Sequence, residues 1–470
     1  MGADFLQALR ACLGDANVLV DGDLDAYQVD WRKRYRGRAL AVARPSCTDQ
    51  VAAVVGLCAS HGVPIVPQGG NTGLVGGGVP DASGGQLLLS LSRMRRVRAV
   101  DPDNMTATVE AGCVLHALQA AAAAHDLLFP LRLGSEGSCT IGGNLASNAG
   151  GTQVLRYGNA RELCLGLEVV TASGEVWHGL SGLRKDNTGY DLRDLFIGSE
   201  GTLGIITAAT MKLHPRPAAT VVALAACPDI DGVLGLLRIA RKRLDAGLTG
   251  FELIERFALE LVARHFPRCR QPFRDAPWVA LLELSAECEG VASQRLEGVL
   301  GEASELGLLS DAVVSATPAQ ASELWQLRES IPSAQASEGL NIKHDIGLPV
   351  SAIPGFLREV LASLHVEVPG LRPVLFGHLG DGNLHFNLQA PEGMAPDAFL
   401  RQHETALNRL VYDAVLARGG TFSAEHGIGA LKVAELAARK SPVAMAMMRA
   451  IKRALDPQGL LNPGRLLAMH

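Results

Sequence analysis

Short apolar runs alternate along the chain with stretches in which apolar residues recur every third or fourth position, a pattern that predicts mixed α and β structure. Residues 39–43 read as a strand. A helix over 48–60 follows, capped by Ser46 or Thr48, with Val51, Val54, Val55 and Cys58 on one face, and then a strand over 63–66. Further strands are expected at 87–91, 107–110 and 203–213, a helix at 114–125, and a hairpin over 164–176 around Ala172-Ser173-Gly174. Pro215 and Pro217 close this stretch and mark a domain boundary. Between 220 and 349 the texture changes to apolar strands (TVVALAAC, WVALLELS) separated by helices ending near Leu244 and spanning 293–306. Segments 396–417 and 443–455 are helical, and 1–18 reads as an amphipathic helix. The expected fold class is α+β, divided into 1–217, 218–400 and a C-terminal helical segment, 401–470.

One strand end carries an unusual loop. Residues 69–78 hold six glycines in ten positions (GGNTGLVGGG), directly after the run VPIVPQ. Successive backbone N–H groups in so bare a loop can face one concavity, which suits the oxygens of a diphosphate. A tight or mobile turn is the plain alternative. Neither G-x-G-x-x-G nor G-x-x-x-x-G-K-[ST] occurs, so the loop is not the cradle of a Rossmann or P-loop protein. Two further glycine-dense segments, 134–151 and 198–204, point to an extended ligand lined by main chain; a dinucleotide fits.

Composition narrows the classes. The 470 residues are 48% apolar and 19% charged, enough to bury more than one core, with a formal charge of −5 that argues against nucleic acid as a partner. The basic runs at 32–38 and 93–98 read as solvated surface, or as docking patches for an acidic redox partner. Nine scattered cysteines without a C-x-x-C pair indicate neither a disulfide framework nor a zinc knuckle. No apolar run reaches the roughly 18 residues of a spanning helix, so a non-transmembrane, cytoplasmic protein is expected.

A second chemical centre stands at 373–389, PVLFGHLGDGNLHFNLQ. A two-residue turn at Asp381-Gly382 would set His378 opposite His385, with Cβ atoms about 5 Å apart. Two imidazoles at that spacing can share a metal ion. Asn387 faces the same way, and Glu425, beside His426 in SAEHGIG, is a candidate third ligand. Such an open set is a catalytic zinc geometry rather than a closed structural one. A hydrogen-bonded histidine pair is the bland reading. A metal-dependent hydrolase is a rival class, although H-E-x-x-H is absent and the three glycine loops are left without a role.

Six motifs in order, PQGGNTG (67–73), GSCTIGGNLASNAGG (137–151), GSEGTLGIIT (198–207), GHLGDGNLH (377–385), EHGIG (425–429) and LNPGRLL (461–467), resemble the FAD-dependent oxidoreductases of the vanillyl-alcohol oxidase type over nearly the whole chain. Within that group the second half is most similar to the D-2-hydroxyglutarate dehydrogenase branch, with D-lactate dehydrogenase and the glycolate oxidase flavin subunit as neighbours. The resemblance implies an FAD-binding first domain, a substrate domain with an antiparallel sheet, and a C-terminal segment returning to the flavin. Covalently flavinylated members commonly carry His where this chain has Asn71, so non-covalent FAD is implied.

Carried over by motif, the cofactor residues are Pro67, Gly69, Gly70, Asn71, Thr72 and Gly73 from the first loop. The second loop gives Gly134, Ser135, Gly137, Ser138, Cys139, Gly142, Asn144 and Asn148; GSEGTLGIIT gives Gly201 and Ile206, and LNPGRLL gives Asn462. The implied metal ligands are His378, His385 and Glu425, binding zinc or another divalent ion, with His426 as base. Arg328 and Lys343 suit substrate carboxylates, with Asn387 beside them, and favour a dicarboxylate. In that branch Thr often stands four residues after the Arg; here Pro332 does, with Ser333 next to it as the candidate hydroxyl. The implied reaction is oxidation of a D-2-hydroxy acid, D-2-hydroxyglutarate first and D-lactate, D-malate or glycolate behind. The implied acceptor is electron-transfer flavoprotein or a quinone, and a homodimer is left open. A non-catalytic flavin-binding module is the remaining alternative.

Overall fold

The computed structural model describes residues 2–22 and 24–468. The chain forms two compact units. One comprises 1–150, 158–216 and 425–470; the other comprises 151–157 and 217–424.

The first unit is built on two main sheets, and Leu127–Leu128 pairs with His214–Pro215 as a small two-stranded sheet. In the smaller, Val18–Leu19, Ala39–Ala43, Gln86–Ser90 and Ile65–Gln68 lie side by side in that order, the last three parallel. The helix Thr48–His61 makes the crossover and buries Val51, Val54, Val55 and Cys58, the face its periodicity predicts; Gly62, at φ 65°, ends it in the left-handed conformation glycine favours. Its N-cap is Cys47, without a side-chain cap. Ser46 instead bonds Gln50, and Thr48 donates to buried Glu168 at 2.6 Å. The larger sheet is antiparallel, in the order Val97–Asp101, Thr106–Glu110, Ile205–Lys212, Cys164–Val170, Val176–Gly179. Among the described residues, 425–468 add no strand to either sheet, although Leu461 bridges Ile65 in parallel.

The second unit is one antiparallel sheet of seven strands with helices on both faces. In chain order its strands are β1 (Ala219–Cys227), β2 (Leu248–Glu255), β3 (Trp278–Ala286), β4 (Asp311–Val314), β5 (Ile342–Gly347), β6 (Arg372–Gly377) and β7 (Asn383–Gln389), arranged β4-β1-β3-β2-β6-β7-β5. On one face Val222, Leu224, Ile254, Val279, Leu281, Val374 and Phe376 form a core with Leu259 and Val262 of the helix Arg256–His265 and with Trp325 and Ile331 of the two helices 318–337. The same face turns polar toward β7 and β5, because side chains alternate along a strand and β7 reads N-L-H-F-N-L-Q.

Residues 401–424, expected to begin the C-terminal segment, belong instead to this second unit. The helix Pro396–Leu416 packs on β5, and Thr421 pairs with Gly347 at its end. The short excursion 151–157 belongs here too. Gln153 donates to buried Glu283 at 3.0 Å, a carboxylate also bound by Thr249 (2.8 Å) and by the Trp325 indole (2.8 Å).

Candidate active site and cofactor cradle

In the first unit the three glycine-dense segments converge. A Cβ on Gly70 would stand 2.1 Å from the Ser138 carbonyl oxygen, one on Gly69 2.4 Å from Thr140 Oγ1, and one on Gly201 2.5 Å from the Pro67 ring. Only glycine permits these approaches. Gly142 closes in the same way on Ala111. Gly73, Gly134 and Gly137 face open space, and Thr72 lies beside Gly73 in the loop.

Asn71, at φ 53°, turns its amide outward to the carbonyls of Ala26 (3.0 Å) and Val29 (2.9 Å), so it staples the loop to 24–30. Ser135 accepts the amides of Ser138 and Cys139, both at 2.8 Å, in a tight turn. Cys139 is buried, which pushes its thiol up; Asn144 donates to its sulfur at 3.6 Å. Asn148 caps the amide of Arg161 at 3.0 Å, and Ile206 lies in the larger sheet. Asn462 donates to the carbonyls of Gly77 (3.0 Å) and Glu200 (2.7 Å), fastening 425–470 to the glycine loop.

Two buried acceptors in this cradle, Thr140 Oγ1 and Asn462 Oδ1, have no hydrogen-bond partner. Bare backbone at close approach together with unsatisfied buried polar atoms fits an extended, polar ligand such as FAD. A position that the sequence did not single out, Glu200, is half-buried and accepts the amides of Ile428 (2.8 Å) and Gly429 (2.6 Å). It holds the backbone of EHGIG in place, although burial raises its carboxyl above the usual range.

In the second unit the two histidines meet differently from the expected hairpin. His385 pairs with Phe376, not His378, because the strand ends at Gly377 (φ 148°) and the chain loops through 378–382. Phe251 of β2 draws that loop away by accepting the Gly380 amide at 3.1 Å. The imidazoles still lie near each other, centroids 5.4 Å apart and nearly perpendicular.

Glu252, fully buried on β2, anchors one of them. Its Oε1 is 2.6 Å from His378 Nδ1, and its Oε2 accepts from Arg328 Nε at 2.7 Å. Burial alone would raise this carboxyl, but the charges and hydrogen bonds of His378 and Arg328 outweigh it and hold it at about 2. An ionised carboxylate only accepts, so His378 donates through Nδ1–H whether its ring is charged or neutral, and in the neutral ring Nε2 keeps a lone pair on the other side. Arg328 is buried, stacked 4.7 Å above the Phe376 ring, with Nε committed to Glu252.

Across β7 and β5, His385 stands directly opposite Asp345 and Asn387 opposite Lys343. Ala424 donates its amide to the Asp345 carbonyl at 3.2 Å, and Glu425 and His426 follow at once in the chain. Within the second unit Asp345 and His385 therefore offer a carboxylate and an imidazole side by side. Imidazole nitrogens and carboxylate oxygens are the donor set of a divalent cation such as zinc. Two of the three expected ligands, His378 and His385, lie near each other in this unit, and Asp345 is added; the third, Glu425, and the expected base, His426, open the returning segment of the first unit. Asp345 sits on a strand 40 positions from His385 in sequence, and no local pattern ties the two.

Asn387 donates to Gln335 Oε1 at 2.9 Å, and Lys343 Nζ is 3.5 Å from the same oxygen. Ser333 is not part of this cluster. It is exposed, and from its helix Gln335, two residues on, reaches inward.

A family model of FAD linked oxidases, C-terminal domain, matches residues 216–466, and one of an FAD binding domain matches 39–179. The chain belongs to the FAD-linked oxidase family. Among its relatives, the mitochondrial D-2-hydroxyglutarate dehydrogenase of Rattus norvegicus is 38% identical over 97% of this chain and 83% of its own length. The D-2-hydroxyglutarate dehydrogenase of Xanthomonas citri pv. viticola is 40% identical over 95% of this chain and 93% of its own.

Among solved structures, p-cresol methylhydroxylase superposes with a TM-score of 0.76 at 19% identity, covering 99% of this chain and 97% of that one. Alkyldihydroxyacetonephosphate synthase gives 0.74 at 17%, covering 98% and 84%. The likeness is one of fold, and the fold is the vanillyl-alcohol oxidase type that the motifs imply. A hydrolase reading leaves the FAD-binding match unexplained. Among the described residues no helix is long and apolar enough to cross a membrane.

Proposed function

We propose that this FAD-linked oxidase is a D-2-hydroxyglutarate dehydrogenase, converting D-2-hydroxyglutarate to 2-oxoglutarate. The observation that carries the reading is identity near 38% with enzymes of that name over almost the whole chain, from rat to bacteria. The polar face of β7 and β5 supports it with a cluster suited to an anionic hydroxy acid.

In the reaction the substrate C–H and O–H bonds break and a C=O forms. Bound FAD supplies the two-electron acceptor for the departing hydride. A divalent cation, with zinc the ion that mixed imidazole and carboxylate donors suit, supplies a Lewis acid for the hydroxyl oxygen; His385, Glu425 and the Nε2 of His378 are the donors we assign to it, with Asp345 beside them. His426 takes the hydroxyl proton, a role for which a nearby imidazole is suited around neutral pH. Glu252 fixes the tautomer of His378. Lys343 and Asn387 hold substrate oxygens from adjacent strands, and the outer edge of the Arg328 guanidinium faces a carboxylate. An acceptor such as electron-transfer flavoprotein or a quinone would take up the electrons.

Replacing His426 with Ala tests the assignment. Flavin absorbance of the purified variant should match wild type, while anaerobic flavin reduction by D-2-hydroxyglutarate should slow by about 100-fold or more. Reduction at the wild-type rate would remove His426 from the chemistry.

A further inference from the structure

Gln335 lies on the helix Ile331–Ser337 with its side chain wholly buried. Its Oε1 accepts from Asn387 Nδ2 at 2.9 Å and faces Lys343 Nζ at 3.5 Å. An ammonium has donors only, so the oxygen of the amide must be the atom on the Lys343 side. The amide cannot be turned over. Its Nε2 is therefore fixed as the other branch of the same amide, where it is buried and has no hydrogen-bond partner. Native proteins rarely leave a fixed, buried donor unmatched.

The neighbouring charges say what would match it. Lys343 and Asn387 are directly opposed across β5 and β7, so an ammonium and two amides converge on one spot of the sheet face. An oxygen of an anion satisfies an ammonium and an amide N–H together, and a carboxylate offers two such oxygens. No hydroxyl of this helix competes for the position: Pro332 has none, and Ser333 is exposed.

We propose that Gln335 is a specificity-determining residue, its Nε2 donating to the second carboxylate of a D-2-hydroxy dicarboxylate while Lys343 supplies the charge at that end. The inference rests on the function proposed above. Gln335 does not touch the reacting carbon. It selects the chain that ends in a carboxylate over one that ends in a methyl group.

The experiment compares kcat/KM for D-2-hydroxyglutarate and for D-2-hydroxyvalerate, which carries a methyl in place of the distal carboxylate, in the holoenzyme and in Gln335→Glu and Gln335→Met. Gln335→Glu keeps the oxygen that faces Lys343 and removes the donor; Gln335→Met removes both ends at similar volume. Flavin absorbance reports that each variant is folded and loaded. The preference for D-2-hydroxyglutarate should fall at least about tenfold in both variants, chiefly through KM. Parallel losses for the two substrates, or no change in the ratio, would overturn the assignment. A wild-type enzyme whose flavin D-2-hydroxyglutarate does not reduce would instead defeat the functional reading, before any variant is compared.

Discussion

Glu252→Gln is the substitution whose cost is most directly set by the structure. Glu252, Arg328 and His378 form a chain of charge in which the side chains are 1%, 7% and 8% exposed. Glutamine keeps the shape but removes the negative charge and one of the two acceptor oxygens, so the Arg328 guanidinium is left buried without compensation and one of the two N–H donors faces an NH2 group. Removing one partner of a buried ion pair costs about 3–5 kcal/mol. The carboxyl itself supplies a second scale: held at about 2 against an ordinary 4.5, it favours ionisation in the folded state by roughly 3 kcal/mol. The two estimates agree.

Because the folded value lies below the unfolded one, this contribution is present above pH ~4.5 and is lost as the pH falls toward about 2. The assay is urea unfolding followed by circular dichroism, with chelator present, at neutral pH and along the acid limb. The variant should lose about 3–4 kcal/mol at pH 7 and show a flatter acid limb. Cation affinity should also fall about 10–100-fold, because glutamine accepts less strongly from His378 Nδ1–H. A stability loss below about 1 kcal/mol would refute the buried-charge argument.

Two further outcomes follow from the same geometry. Gly70→Ala sets a Cβ 2.1 Å from the Ser138 carbonyl, with backbone on both sides, so the two loops must part. FAD retained through gel filtration, read from its visible absorbance, should fall by about tenfold or more, and full retention would contradict the cradle. Glu255 sits at the start of the helix Arg256–His265, where burial pushes its carboxyl up to about 7 against the opposing pull of the Phe257 amide. Here the folded value lies above the unfolded one, so stability is full below pH ~4.5 and is lost as pH rises toward about 7, by up to roughly 3 kcal/mol. Glu255→Gln should flatten that part of a melting-temperature profile, and an unchanged slope would count against it.

Local pattern revealed some of this and hid the rest for identifiable reasons. The buried face of the helix 48–61 is legible from Val51, Val54, Val55 and Cys58, because period 3.6 is a local property. The glycine loops are legible because bare backbone has few other uses. The alternation Asn383, His385, Asn387, Gln389 announces a polar sheet face within seven residues.

The partners of that face are not local. Asp345 and Lys343 reach it only because β5 pairs with β7 across a connection that holds a whole helix and β6. Glu252 lies 126 positions before the histidine it anchors. The Asp-Gly signal predicts a two-residue turn at 381–382, whereas Gly377 ends the strand earlier and β2 captures the loop at Gly380. Ser333 and Gln335 differ by two positions on one helix, about 200° of rotation, and nothing in the sequence says which of them faces the sheet.

The central claim, that a flavin-loaded chain draws hydride from a D-2-hydroxy dicarboxylate, is tested most directly by one anaerobic titration. Purified holoenzyme is mixed with D-2-hydroxyglutarate, its L enantiomer and D-lactate, and the flavin absorbance is followed with and without chelator. The account predicts rapid bleaching by D-2-hydroxyglutarate, little with the L enantiomer, slower bleaching by D-lactate, and loss of the reaction on chelation. A flavin that stays oxidised with D-2-hydroxyglutarate, or that bleaches equally with both enantiomers, would contradict it.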